Sequence, residues 1–282
     1  MSTSDKSSSK SAAATNKKPT FFHRLNVRFP WLKLALVLII GFIAILDLLD
    51  VTISKTMDLN RHFPKTPMAK HVKATERELK GKMLVALTFD DGQSSATTPT
   101  LLNILSEKNT LATFFMLGKM AENNPEIVKR AEREGHEIAS HTMYHQNLIR
   151  ISSSNAESDI NQAKAVFRNI LGHSPALTRP PYGNYNDTVG RIAGTPLIIW
   201  SVDPRDWDTK NAPAVLNAVL NQVHDGAIIL LHDIYPSTVE AVPAIIDELR
   251  NRGYEFTTIS ELAGIRHVSL SPGQSYYNFR SE

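Results

Sequence analysis

Cysteine is absent from all 282 residues. Its absence excludes a disulfide framework and any thiolate metal site, so a metal here must be held by histidine and carboxylate. A cysteine-free chain is also compatible with an extracellular location. No internal repeat is visible. A basic excess is missing where a fold is expected: residues 83–265 carry 14 Lys/Arg against 21 Asp/Glu, whereas residues 1–82 carry 15 against 6 and the last 17 carry 2 against 1. The net charge of +3 thus describes a basic arm on an acidic domain. Neither nucleic acid nor a nucleotide cofactor is expected as a partner.

Long apolar runs are scarce as well. One exists, Trp31 to Leu49, with Lys33 and Asp47 as its only charges, both near its ends. As a helix its 19 residues reach about 28 Å, close to the hydrocarbon thickness of a bilayer. Its uninterrupted part, Leu34 to Leu46, is 13 residues, which is also the length of a secretory signal's apolar region. Two readings follow. A cleaved signal needs small residues before the cut, and Thr52-Ile53-Ser54 fits that poorly. An uncleaved signal-anchor needs only the run and upstream positive charge, which Lys17, Lys18, Arg24, Arg28 and Lys33 provide. The anchor is favoured, with the N-terminus inside and the remainder outside the cell membrane.

The expected organisation is therefore a disordered basic tail over 1–30, a transmembrane signal-anchor over 31–49, an extracellular stalk over 50–82 with a short helix over 70–81, a catalytic domain over 83–265, and a polar tail over 266–282. From Lys82 onward apolar strands alternate with helical patterns. The predicted strands are 83–89, 112–117, 136–140, 176–179, 197–202, 227–231 and 255–259. The predicted helices are 98–107, 126–134, 156–171, 212–223 and 238–251. This β-then-α order implies parallel strands with right-handed crossovers, and about seven of them in some 180 residues suit a single barrel-like α/β domain. In such barrels the site forms at the carboxyl ends of the strands.

Five polar islands lie at those ends: Thr88-Phe89-Asp90-Asp91-Gly92, His141 to His145, Arg179-Pro180-Pro181-Tyr182-Gly183, Asp203-Pro204-Arg205-Asp206-Trp207, and Leu230-Leu231-His232. Singly, each has a bland explanation. Asp90-Asp91 could be a strand-end turn with a capping Asp. His141 and His145, four apart, would share a side of a helix, which chance also produces. Arg179 could be an ion-paired residue on a proline-stiffened turn, and Trp207 a partial core anchor. His232 closes a run apolar enough to be buried on both faces. Together, at predicted strand ends of one domain, they offer imidazoles and carboxylates for a metal, a base and an acid. That inventory is what metal-assisted hydrolysis needs. His136, His173, His224 and His267 have no ligand-spaced partner, and His23, His62 and His71 lie outside the domain.

The stretch from Lys82 to Leu262 resembles the polysaccharide deacetylases of carbohydrate esterase family four, the NodB homology domain, with all five of that family's motifs in order. The resemblance implies a distorted (β/α) barrel. It implies Asp90 as catalytic base, Asp91, His141 and His145 as metal ligands, and Arg179 as the residue orienting Asp90. It assigns the Tyr182 N–H to the oxyanion, Asp206 to tuning His232, the general acid, and Trp207 and Leu230 to walling the acetyl methyl. Gln93 is a departure, since the family often has proline there. The implied function is removal of N-acetyl groups from GlcNAc of cell-wall glycan, most simply peptidoglycan, with release of acetate. The implied cofactor is a divalent metal, zinc first, with cobalt, manganese or iron also suited to two histidines and an aspartate. Alternatives are a deacetylase or esterase of another acetylated glycan, such as chitin oligomers, exopolysaccharide or xylan, and a catalytically silent wall-binding domain.

Overall fold

The computed structural model describes Leu79 and residues 81–280. The expected tail over 1–30, the span over 31–49 and nearly all of the stalk lie outside the described residues. Among the described residues no helix is long and apolar enough to cross a membrane.

Among the described residues there are seven strands: β1 (Met83–Asp90), β2 (Thr113–Met116), β3 (Glu137–Ser140), β4 (Leu197–Ile198), β5 (Ala227–His232), β6 (Tyr254–Thr257) and β7 (Ser275–Tyr276). The same described residues include nine α-helices: α1 (Thr98–Glu107), α2 (Gly118–Asn123), α3 (Pro125–Arg133), α4 (Ser153–Leu171), α5 (Asp187–Ala193), α6 (Asp206–Thr209), α7 (Ala212–Gln222), α8 (Pro236–Asn251) and α9 (Ile259–Ile265). Local chemistry sets several boundaries. The Ser152 hydroxyl accepts the Asn155 N–H at the start of α4, and Gly172 closes it at φ 84°. Thr258 and Glu261 form a capping box that ends the expected last strand early and starts α9.

β1 is the central stave. Seven of its eight residues are buried, as a strand covered on both faces requires. It pairs in parallel with β5 along one edge, from Val85–Ala227 to Asp90–His232. Its other edge is shared: Met83–Ala86 pair with β6 and Thr88–Asp90 with β2. β2 pairs with β3, and single bridges carry the ring onward through Ser140–Thr178, Thr178–Leu197 and Val202–Ile229 back to β5. The ring therefore closes, though two staves are reduced to isolated bridges. That reduction and the split edge of β1 distort the barrel.

Side-chain alternation sorts the core into two clusters. Val85, Leu87 and Phe89 of β1, with Ile229 and Leu231 of β5, face outward against Leu101, Leu105, Val242 and Ile246. Leu84, Ala86, Phe115, Ala139, Leu177, Ile198 and Ile228 fill the interior. Continuing this inner-face parity to the carboxyl rim yields Thr88, Asp90, His141, Arg179 and His232. The two-residue period delivers the candidate site to one place.

The segment after residue 265, expected as a tail outside the domain, is part of the fold. β7 pairs with β4, Asn278 bridges Ala227, and Phe279, only 2% exposed, joins Ile259, Leu262 and Ala263 in the interior cluster. Two paired residues are too few to leave an alternating pattern, so the sequence shows only polarity there. Gly226, at φ 76°, lets this return pass: a Cβ there would lie 2.1 Å from the Phe279 carbonyl oxygen. Phe279→Ala is expected to cost about 3–5 kcal/mol of stability, read as a lowered urea midpoint at unchanged slope. A loss below about 1 kcal/mol would mean that the segment does not belong to the core.

Candidate active site

Asp90 ends β1 with its carboxylate inside the barrel. Its Oδ1 accepts a 2.6 Å bond from Nη1 of Arg179, which is wholly buried. The guanidinium is otherwise engaged by Thr88 Oγ1 at 2.9 Å, Ile198 O at 3.1 Å and Ile199 O at 2.9 Å, and it stacks on Phe115. Burial raises the Asp90 pKa; the charges of Arg179 and His232 oppose that rise without cancelling it. Asp90 is thus a carboxylate with increased proton affinity.

Asp91 turns the other way, at φ 70°. Its Oδ1 lies 3.6 Å from His141 Nε2 and 3.4 Å from His145 Nε2. Ligand-capable atoms of these three residues fall within 4.8 Å of one another, the single such group of three among the described residues. His141 Nδ1–H donates to Arg179 O at 2.7 Å, which leaves Nε2 as the lone-pair atom facing Asp91. Burial pushes the His141 pKa down to about 3 despite the attraction of Asp91, so the ring stays neutral. Asp91 Oδ1 is buried and accepts no hydrogen bond. An orphaned carboxylate oxygen between two imidazole nitrogens suits a divalent cation and little else.

The two histidines do not share a helix, as their spacing suggested. They sit in the loop after β3, where Thr142 (φ 72°) and His145 (φ 57°) both adopt left-handed backbone. Tyr182 (φ 62°) and Arg205 (φ 53°) do likewise in their loops. Such conformations cost about 1–3 kcal/mol each in non-glycine residues and persist where surrounding structure enforces them.

On the opposite wall, His232 follows from the β1–β5 register, which sets it beside Asp90. Its Nδ1–H donates to Asp206 Oδ1 at 2.8 Å. Asp206 is wholly buried, and its Oδ2 also accepts from His232 N at 2.8 Å and Thr238 Oγ1 at 2.7 Å. Burial alone would lower the His232 pKa; the hydrogen bond and charge of Asp206, aided by Asp90 and Asp91, outweigh it and raise the value to about 9. Asp90, Asp91, His141, His145 and His232 line a cleft of about 490 Å³ with Tyr182, Trp207 and Leu230, while Arg179 and Asp206 are not among its lining residues. Tyr182 is 59% exposed, its ring 4.7 Å from that of His145.

The cleft also contains Trp200, Asp203 and Tyr235, to which the sequence reading gave no role. Trp200 packs under Gly183, where a Cβ would sit 3.0 Å from its ring; Tyr235 stands 6.0 Å from His232, centroid to centroid. Trp200 follows the inner-face parity of its strand and was findable on that ground. Tyr235 left no signal. Asp233 was missed too. It is fully buried, accepts from Thr98 Oγ1 at 2.5 Å, and lies where a Cβ on Gly92 would fall, so only glycine fits there. Burial raises its pKa to about 7. Gln93 is buried and its peptide bond to Gly92 is cis.

In the metal-free protein Asp206→Asn should bring the His232 titration, followed by NMR of the ring protons, down from about 9 toward or below the ordinary histidine range. A folded pKa above the unfolded one means that this group's contribution to stability is complete below about pH 6.5 and is lost as pH rises through about 9. An unmoved midpoint would rule out Asp206 as the cause.

Comparison with known proteins agrees with this geometry. Residues 77–195 match the family described as Polysaccharide deacetylase. A peptidoglycan-N-acetylglucosamine deacetylase, PgdA, of Listeria monocytogenes is 38% identical over 225 residues, 79% of this chain and 48% of that protein. The chain thus spans about half the length of that relative. A peptidoglycan-N-acetylglucosamine deacetylase of Bacillus cereus is 39% identical over 192 residues, 65% of this chain and 90% of that protein. The solved peptidoglycan deacetylase PdaC of Bacillus subtilis superposes with a TM-score of 0.65 at 37% identity, over 66% of this chain and 93% of that one. The barrel has the NodB-like α/β fold of these neighbours, and the chain belongs to the polysaccharide deacetylase family.

Proposed function

We propose that this protein is a membrane-anchored, metal-dependent N-deacetylase that acts outside the cell on GlcNAc residues of peptidoglycan. The observation that carries the reading is the convergence of Asp91, His141 and His145 within 4.8 Å, in one cleft with the buried carboxylate of Asp90 and the partly buried imidazole of His232. The similarity to peptidoglycan deacetylases of three bacteria supports peptidoglycan as the polymer, and those of Listeria monocytogenes and Bacillus cereus, named for N-acetylglucosamine, support the choice of sugar.

Asp91, His141 and His145 would hold a divalent ion. Two imidazoles and one carboxylate would suit zinc best, and cobalt, manganese or iron would also be accommodated. Such an ion would supply Lewis acidity toward the amide carbonyl and toward water, whose pKa it would lower toward about 7. Asp90, kept basic by burial and aimed by Arg179, takes the proton of the attacking water. The Tyr182 N–H is directed at the oxygen that gains charge as the carbonyl carbon becomes tetrahedral. An amine leaves poorly unless protonated. His232 donates that proton from Nε2, while Asp206 holds Nδ1 and stabilises the imidazolium. Trp207 and Leu230 enclose the acetyl methyl. Water and the acetamide are consumed, and acetate and the free glucosamine amine are produced.

The run Trp31–Leu49 anchors the chain, and a stalk of some 30 residues keeps the domain near nascent glycan at the membrane's outer face. The full chain should sediment with membranes, and deletion of residues 1–50 should release it into the soluble fraction; a full chain found only in the soluble fraction would refute the anchor.

Acetate release from purified peptidoglycan should stop on chelation and return with added zinc. Asp90→Asn and His232→Ala should each lower kcat by about 10²–10⁴-fold, the usual contribution of a general base or acid. Undiminished turnover with chelator, or Asp90→Asn retaining near-normal kcat while still binding metal, would sink the reading.

A further inference from the structure

We infer that a second cavity, beside the catalytic cleft, is a sugar subsite that holds a flanking residue of the same glycan chain. This rests on the reading of the protein as a glycan deacetylase and extends it to the substrate's length. The cavity has a volume of about 180 Å³ and is lined by Tyr144, Gln146, Asn155, Ser158, Asp159 and Gln162. Asn155, Ser158, Asp159 and Gln162 are spaced i, i+3, i+4, i+7 along α4 and so share one side of it. Tyr144 and Gln146 come from the loop that carries the two histidines. His145, between them, lines the catalytic cleft. Tyr144 and Gln146 are thus the immediate chain neighbours of a residue of the catalytic cleft.

The floor marks this as a place for a ligand. Asp159 is 3% exposed; its Oδ1 accepts the Met143 N–H at 2.6 Å, and its Oδ2 is buried with no hydrogen-bond partner. A buried carboxylate oxygen left unsatisfied is expensive, and a donor brought by a ligand removes that cost. The remaining lining is uncharged: two glutamines, an asparagine, a serine and a tyrosine. Amides and hydroxyls both give and accept hydrogen bonds, and with an acceptor-only carboxylate they match the donor-acceptor character of sugar hydroxyls. Tyr144 is 49% exposed and presents a ring on which the apolar side of a sugar can lie. Its hydroxyl reaches Gln162 Oε1 at 3.4 Å, a long contact that is cheaply exchanged for a sugar hydroxyl. An anion would be repelled by Asp159, and an apolar group would strand the amides.

The full chain and its Gln162→Ala and Tyr144→Ala variants, all exposed positions, are compared on GlcNAc oligomers of two and six residues. Each variant should raise KM for the hexamer about 5–10-fold, the loss of one or two net hydrogen bonds or a stacking contact, with kcat within about twofold. KM for the dimer should move by less than about twofold. Equal effects on dimer and hexamer, or none on either, overturn the subsite. Hexamer affinity measured by calorimetry decides the question independently of turnover. If the parent protein releases no acetate from these oligomers or from peptidoglycan, the deacetylase reading fails, while weakened hexamer binding by both variants still upholds the subsite and unchanged binding removes it.

Discussion

A single buried cation organises the active end of this barrel. Arg179 has no exposed surface, and an uncompensated guanidinium in such a place is strongly destabilising. Its compensation comes from three separate stretches of chain: Asp90 and Thr88 on β1, the carbonyls of Ile198 and Ile199, and the ring of Phe115 on β2; its backbone carbonyl in addition accepts from His141. Each partner is fixed because the charge must be satisfied. The Asp90 carboxylate is therefore oriented and one imidazole tautomer selected by the same residue that bridges the weakest part of the ring, where the staves shrink to single bridges. Removing the guanidinium would leave Asp90 buried and unpaired, so fold and chemistry are coupled at this point.

Around that pair, burial acts on every group and the partners decide the outcome. His141 and His232 are both imidazoles shielded from water, and desolvation opposes charge on each. His232 has a buried carboxylate hydrogen-bonded to Nδ1, which reverses the effect and holds the ring cationic to about pH 9. His141 has a neutral carbonyl in the same position and remains uncharged, its pKa near 3. One becomes a proton donor, the other a lone-pair donor. Neighbours that push like groups apart are the mark of assigned acid and ligand roles.

Much of this was legible in the sequence, because strand period and strand ends are written in apolar runs. The central strands, most helices and the five polar islands were found that way, and parity along each strand brings Asp90, Arg179 and His232 to one rim. What failed to show has physical causes. His141 and His145, whose spacing would also suit one side of a helix, sit in a loop whose left-handed residues leave no composition signal, since threonine and histidine are poor markers of positive φ. The return of residues 275–279 rests on two paired residues and one phenylalanine, below the length at which alternation can be read. Asp233 left no mark in the sequence, although the space it fills is what requires Gly92.

The loop after β3 carries more than its ligands. Its left-handed residues must be held by something outside it, and Asp159 of α4 does so by accepting the Met143 N–H midway between the two histidines. That carboxylate has a second oxygen, and the cavity it lines also takes in Tyr144 and Gln146, the chain neighbours of His145 in the cleft. Whatever satisfies Oδ2 acts on the group that braces the loop carrying His141 and His145. Barrel parity fixes Asp90, Arg179 and His232 without reference to α4, so the side chains on the cavity side of that helix can change without disturbing the Arg179–Asp90 pair.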